Sequence, residues 1–169
     1  MKHDLDCTRK AIASYNTNPM HISHATALSL FGGIGGLQLR IQNKDGMCLF
    51  EDMAHGFCAV TTILRRRFSN RLFTVYEAVQ YWERTYSCRK EDFSKEFFKN
   101  STLDKYLKLR VTKQEPMIRL MRDMCITETG GFTPPESTVS TGYSYSFSMP
   151  TVAPSYVPFV IERDNTGLS

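Results

Sequence analysis

Few of the residues in this 169-residue sequence that could carry reaction chemistry stand at spacings that chemistry requires. His55 and Cys58 are three apart, one helical turn, as in a Cys–His dyad, but no third group is at hand to orient the base and activate the thiol. His21 and His24 share that spacing, which suits two imidazoles on one metal, yet no third ligand lies near. The five cysteines (Cys7, Cys48, Cys58, Cys88 and Cys125) are odd in number and form no C-x-x-C pair. Neither a metal site nor a cofactor site is therefore expected, and the thiols read as reduced cysteines of a cytosolic environment. Arg65, Arg66 and Arg67, with Arg71, form the densest basic cluster. Three consecutive helical residues fan over roughly 200° of a helix surface, so the cluster reads as a solvated face and not as one phosphate clamp. Gly32-Gly33-Ile34-Gly35-Gly36 has the glycines of a phosphate-cradling loop but lacks the following Lys-Ser/Thr pair and the G-x-G-x-x-G order. It reads as a tight hairpin or strand crossing.

The elements that must position these groups are mostly helical. Asp52 is placed to cap a helix over residues 53–68, in which Phe57, Val60, Leu64 and Phe68 follow the helical period. Thr74 and Glu77 have the spacing of a capping box, opening a helix through Val75, Val79 and Trp82. Thr112 and Glu115 repeat that spacing, ahead of Pro116 and an apolar stripe of Met117, Ile118, Leu120, Met121 and Met124 that stops at Gly130-Gly131. Residues 91–109 are expected to hold one or two shorter helices with Phe93, Phe97, Phe98, Leu103, Tyr106 and Leu107 facing inward. Ahead of these helices, residues 37–42 alternate apolar and polar as a half-buried strand does. Asn43-Lys44-Asp45-Gly46 is a turn, and residues 47–50 are the returning strand of a short antiparallel hairpin.

The length suits one domain with a proper core, and 22% charged against 41% hydrophobic residues is ordinary globular usage. The formal charge of +4 is unevenly placed. From Gly131 onward there is one basic residue, Arg163, against Glu136, Glu162 and Asp164, so the rest carries the positive excess. That excess falls short of the dense Lys/Arg stripe of a dedicated nucleic-acid binder. No stretch approaches the ~20 apolar residues of a membrane span. Residues 1–15 are mixed and polar, so the expectation is synthesis in the cytoplasm without a signal peptide.

Residues 131–169 differ in kind, with five prolines, many Ser and Thr residues and few charges. Such a composition reads as an extended tail. Its aromatics (Phe132, Tyr143, Tyr145, Phe147, Tyr156 and Phe159) are candidate anchors for a partner. Tyr143, Tyr145 and Phe147 alternate with serines, so as a strand they would share one face and suit addition to a sheet edge, in this chain or in a neighbouring subunit.

Over residues 15–131 the sequence resembles a family of small lysozyme-like proteins encoded by phages and prophages of gut bacteria, described as virion structural proteins. The residues that carry the resemblance are Asn18-Pro19 with Ile22; Phe50-Glu51-Asp52-Met53-Ala54-His55-Gly56-Phe57 with Ala59; Leu64; the helix from Thr74 to Trp82; and Met117-Ile118 with Leu120, Met124, Glu128 and Gly130. The resemblance implies an α+β, mostly α fold: a lysozyme-like helical domain over residues 1–130 with a small β hairpin and a cleft, followed here by the extended tail. It also implies a bacterial setting, incorporation into a virion and a possible encounter with peptidoglycan.

The departures bear on chemistry. Where the family reads Asn-Asn-Pro-Gly-Asn-Ile this chain has Thr17-Asn18-Pro19-Met20-His21-Ile22, and after Trp82 the family's Ala-Pro-Pro-x-Glu-Asn is replaced by Glu83-Arg84-Thr85-Tyr86-Ser87. Between Asp6 and Asp45 there is no Asp or Glu, so the stretch where the family keeps an acidic residue is blank. Cleaving a glycosidic bond needs a carboxylic acid of raised pKa, usually with a second carboxylate across the sugar. The surviving candidates are Glu51, Glu83 and Glu128, with Asp52 and Glu51 also suited to a helix N-terminus. Asn18, His21, Tyr81 and Trp82 are the candidates to line the cleft. The expectation is a catalytically degenerate scaffold acting as a virion structural or assembly protein, its tail binding a neighbouring subunit. The rivals are an active muramidase or lytic transglycosylase using one of those glutamates, and a saccharide-binding module stacking sugars on Trp82 and Tyr81.

Overall fold

Asp52 stands in extended backbone (φ −153°, ψ 173°), and its carboxylate accepts the amide of His55, an orphan N–H of the helix that follows. That local bond starts the central element of the fold. In a computed structural model, which describes residues 18–31, 40–42, 47–87, 89 and 92–148, the chain forms six helices and two two-stranded sheets among those residues. In chain order they are α1 His24–Phe31, β1 Arg40–Gln42, β2 Met47–Leu49, α2 Met53–Phe68, β3 Phe73–Thr74, α3 Val75–Thr85, α4 Phe93–Asn100, β4 Lys108–Leu109, α5 Gln114–Thr129 and α6 Glu136–Ser148.

The middle of α2 is buried all round, with Gly56, Phe57, Cys58, Ala59, Val60 and Thr61 consecutively buried. A helix covered on one face only would show the amphipathic period, so α2 must be surrounded. The cover on one side is α6, which makes the most extensive inter-element contact in the fold. Gly142 permits it, because a Cβ there would meet the backbone of Ala54 and Cys58 and the side chain of Phe57. Thr62 and Ser146 share a hydroxyl hydrogen bond of 2.9 Å, and Arg65 donates to the Ser146 carbonyl at 2.6 Å. With Gly142 beside residues 54–58 and Ser146 beside 62–65, the two helices run in the same direction.

The capping box at Thr74 forms: Thr74 Oγ1 accepts the Glu77 amide at 3.1 Å and Glu77 Oε1 accepts the Thr74 amide at 3.1 Å. It launches α3, which buries Val75, Ala78, Val79 and Trp82. Phe68 at the end of α2 stacks on Phe73 of β3 with centroids 4.0 Å apart, a contact worth ~1 kcal/mol beyond the area it buries. β3 and β4 pair antiparallel, Phe73 opposite Leu109. At the other end of α5, Gly130 takes the left-handed conformation (φ 73°, ψ 28°) that closes a helix. The hairpin forms with Ile41 opposite Cys48; the glycine run at 32–36, the first half of the expected strand at 37–39 and the turn at 43–46 lie outside the described residues.

Three expectations need correction. Thr112 does not cap α5: the N-cap is Lys113, with no side-chain cap bond, so the Thr112–Glu115 spacing is one residue out of phase. Tyr106 and Leu107 face solvent, 71% and 40% exposed, because α4 ends at Asn100 and they lie in the turn leading into β4. The third concerns the tail. Residues 136–148 are a helix packed into the body, not a strand aimed at a partner. Val139, Gly142, Tyr143 and Ser146 lie three or four apart and form its buried face, a helical period that overrides the two-residue alternation of the aromatics. Residues 149–169 lie outside the described residues.

Candidate functional site

Two of the four cleft candidates and one of the three carboxylates come together. Asn18, fully buried, donates from Nδ2 to the carbonyls of Ile22 (2.8 Å) and Cys48 (2.9 Å) and accepts the Ile22 amide at 2.9 Å. One amide side chain thus fixes residues 18–22 against β2, where Cys48 also donates to the Ile22 carbonyl. Within this bend His21 has φ 54°, a left-handed backbone that costs a non-glycine residue about 1 kcal/mol and persists only where its surroundings impose it. The bend aims the His21 ring at the last turn of α5. Its Nδ1 lies 3.6 Å from Glu128 Oε2, the two side chains 2% and 0% exposed.

Glu128 sits at a helix C-terminus, where the dipole disfavours a negative charge, so an imidazole is a fitting neighbour. Cys125, one turn earlier, lies 3.4 Å from the Pro19 carbonyl. Burial pushes its thiol well above the usual range, and the adjacent Glu128 carboxylate adds to the rise. The cluster clamps the 18–22 bend onto α5. A general acid must touch the oxygen it protonates, and a carboxyl with no solvent exposure does not do so in this arrangement.

The other two carboxylates are engaged elsewhere. Glu83 Oε1 accepts the Ser94 amide at 2.9 Å, satisfying an orphan N–H in the first turn of α4, while Gln80 donates to the Ser94 hydroxyl at 2.7 Å. Glu51 is exposed on the surface, 3.8 Å from His55 Nε2. His55 Nδ1 lies 2.7 Å from Asp52 Oδ1, and its ring packs on Tyr145 with centroids 5.0 Å apart. The His55–Cys58 pair is no activated dyad: burial pushes the Cys58 thiol up to about 11, outweighing its hydrogen bond with Thr62 and the nearby Arg65 charge.

Trp82 belongs to the core, not to a cleft. It is 0% exposed and packs on Tyr86, centroids 4.9 Å apart, so no sugar ring can stack on it. Its indole N–H has no acceptor among the described residues. Tyr81 is partly buried, edge-on to Phe68 and Tyr86 and covered by the Arg67 guanidinium at 5.0 Å. Of the proposed partner anchors, Tyr143 is buried and its hydroxyl donates to the Val111 carbonyl at 2.7 Å. Phe132 and Tyr145 pack against the core, and the Arg65 guanidinium lies over Phe147 at 4.1 Å. These four serve the chain's own body, while Tyr156 and Phe159 lie outside the described residues.

Two hollows formed by described residues lie away from these side chains. One, of about 560 Å³ between α5 and the start of α6, is lined by Glu115, Arg119, Arg122 and Glu136 among others. A smaller one of about 200 Å³ lies beside Arg89, Glu96 and Gly130. Neither is lined by Glu51, Glu83, Glu128, Asn18, His21, Tyr81 or Trp82. Among the described residues no group of three or more His, Cys, Asp or Glu side chains is placed to hold a metal ion, and no helix is long and apolar enough to cross a membrane.

Sequence reasoning missed the joining of Asn18 and His21 to Glu128 and Cys125, more than a hundred residues away. Local spacing carries no signal of such a contact. Comparison with protein-family models, curated proteins and solved structures finds no match to this chain.

Proposed function

We propose that this chain is a structural or assembly protein of a phage virion, built on a lysozyme-like scaffold that has lost its chemistry. The observation that carries the reading is that two of the three candidate carboxylates are engaged in holding the fold and the third stands on the surface. Glu128 is sealed against His21, Glu83 caps α4, and Glu51 stands in solvent beside the cap of α2. A mostly helical body with a small hairpin is compatible with the lysozyme-like arrangement that the sequence resemblance implies. The phage setting and the virion rest on that resemblance alone. Since residues 132–148 serve the body, the stretch beyond Ser148 is the part left to engage a neighbouring subunit.

The test is quantitative mass spectrometry of purified particles induced from the strain that encodes the chain. The expected result is a fixed copy number per particle; absence from washed particles, with the chain present in the lysate, overturns the reading.

One observation favours a second reading, an active peptidoglycan hydrolase. A carboxyl and an imidazole side by side can pass a proton between them, and Glu128 and His21 lie 3.6 Å apart. That reading requires the 18–22 bend to open and admit a saccharide. The third possibility, a saccharide-binding module, loses its main support with Trp82 in the core.

A further inference from the structure

Among the described residues the large exposed hydrophobic side chains are Leu72, Tyr76, Tyr106, Leu107 and Phe147, and the first four gather around the β3–β4 pair. The backbone holds this patch together, since Val75 donates to the Leu107 carbonyl at 3.1 Å and Tyr76 to the Lys105 carbonyl at 2.9 Å. Tyr76 stacks on Phe98, and the Lys105 ammonium lies 5.9 Å and 5.3 Å from the two ring centroids. The result is a preformed apolar platform, and such a concentration on a soluble surface marks an interaction site. Its rim is basic. Arg71, Lys105, Lys108 and Arg110 are all exposed, against two carboxylates, Glu77 paired with Arg71 and Asp104 accepting the Tyr106 amide.

The chemistry complementary to this surface is a short apolar and aromatic peptide followed by acidic residues. Residues 156–164 read Tyr-Val-Pro-Phe-Val-Ile-Glu-Arg-Asp, five aliphatic or aromatic anchors and a proline ahead of Glu162 and Asp164. We infer that the Leu72–Tyr76–Tyr106–Leu107 platform of one copy receives residues 156–164 of a second copy, with Lys105 and Lys108 facing Glu162 and Asp164. Charge complementarity argues for this occupant, the basic rim meeting the carboxylates of Glu162 and Asp164, with the segment supplied by a second copy; docking within one chain would leave a monomer at every concentration. Segment-to-platform contact is heterologous, so one interaction repeated from copy to copy builds a ring or a filament, as a particle component requires. This deepens the structural reading of the function by naming the neighbour and the surface it offers.

The test is sedimentation equilibrium of the full chain over a concentration series, with charge reversals on each side. The expected result is reversible self-association that weakens about tenfold in Lys105→Glu/Lys108→Glu and again in Glu162→Lys/Asp164→Lys. Combining all four reversals should restore it. Tyr106→Ser, at an exposed side chain, should weaken it without lowering the melting temperature, which covers the case of a charge variant that misfolds. A monomer at every concentration overturns the inference, as does association indifferent to these changes. Single-stranded DNA binding lost in the lysine pair, with no self-association, also overturns it in favour of a nucleic-acid surface. Each of these failures leaves the copy number in purified particles untouched, so the two claims fail separately.

Discussion

Replacing Gly142 by alanine tests with its sign alone whether α6 belongs to the body. Alanine favours a helix over glycine by about 1 kcal/mol, so in a detached or solvated helix the substitution stabilises or does nothing. Here the new Cβ would lie 2.5 Å from Phe57 Cβ and 3.0 Å from the Cys58 amide nitrogen, and closer still to the Ala54 carbonyl. Two of these three neighbours are backbone atoms of a helix buried all round, which cannot rotate away as a flexible side chain would. Overpacking of this kind costs ~1–3 kcal/mol, and the backbone contacts place it in the upper half of that range. Setting the propensity gain against it leaves a net loss of about 1–2 kcal/mol. At ~2–4 °C per kcal/mol for a chain of this size, the melting temperature should fall by roughly 2–8 °C. Circular dichroism at 222 nm during a thermal ramp reads it directly. Ser144→Ala, on the exposed face of the same helix, is the control and should hold or raise the midpoint. If Gly142→Ala melted at or above the parent temperature, the packing of α6 on α2 would be wrong.

Three further outcomes follow from the same geometry. Thr74→Ala removes half of the capping box and should cost about 1 kcal/mol in a denaturant titration with an unchanged m-value; no loss would mean that α3 starts elsewhere. Cys58 should resist iodoacetamide at pH 8 in the native chain and react on denaturation; since its thiol rises from about 9 to about 11 on folding, this group leaves stability untouched below pH 9 and erodes it between pH 9 and 11, where only the unfolded thiol ionises. Rapid labelling of folded Cys58 at pH 8 would contradict its burial. Trp82 emission should be blue-shifted, insensitive to iodide and unchanged by muropeptides; quenching by either would put the indole at a surface.

How far the fold could be read in the sequence depended on where the information lay. Asp52, the Thr74–Glu77 pair and Gly130 announce helix ends through bonds made within four residues, and α2, α3 and α5 accordingly lie where the pattern puts them. Helix α6 escaped because its buried face is Val139, Gly142, Tyr143 and Ser146, where small residues allow close approach instead of supplying apolar area. The eye follows the alternating aromatics, yet Pro135 followed by Glu136 just inside the helix start was a legible opening signal. The site was legible only in its parts. Asn18, His21 and Glu128 could each be singled out, but their meeting depends on the packing of the first described bend against the end of α5, a long-range contact that no local spacing encodes.

The claim that matters most is that the sealed Glu128 holds the body together and performs no hydrolysis. Incubating purified chain with a peptidoglycan suspension and following released reducing ends, alongside Glu128→Gln of verified fold, tests it most directly. The expected result is no release above the buffer blank from either protein, with Glu128→Gln melting at a lower temperature because the His21 contact is weakened. Steady release by the parent chain that vanishes in a fully folded Glu128→Gln would contradict it.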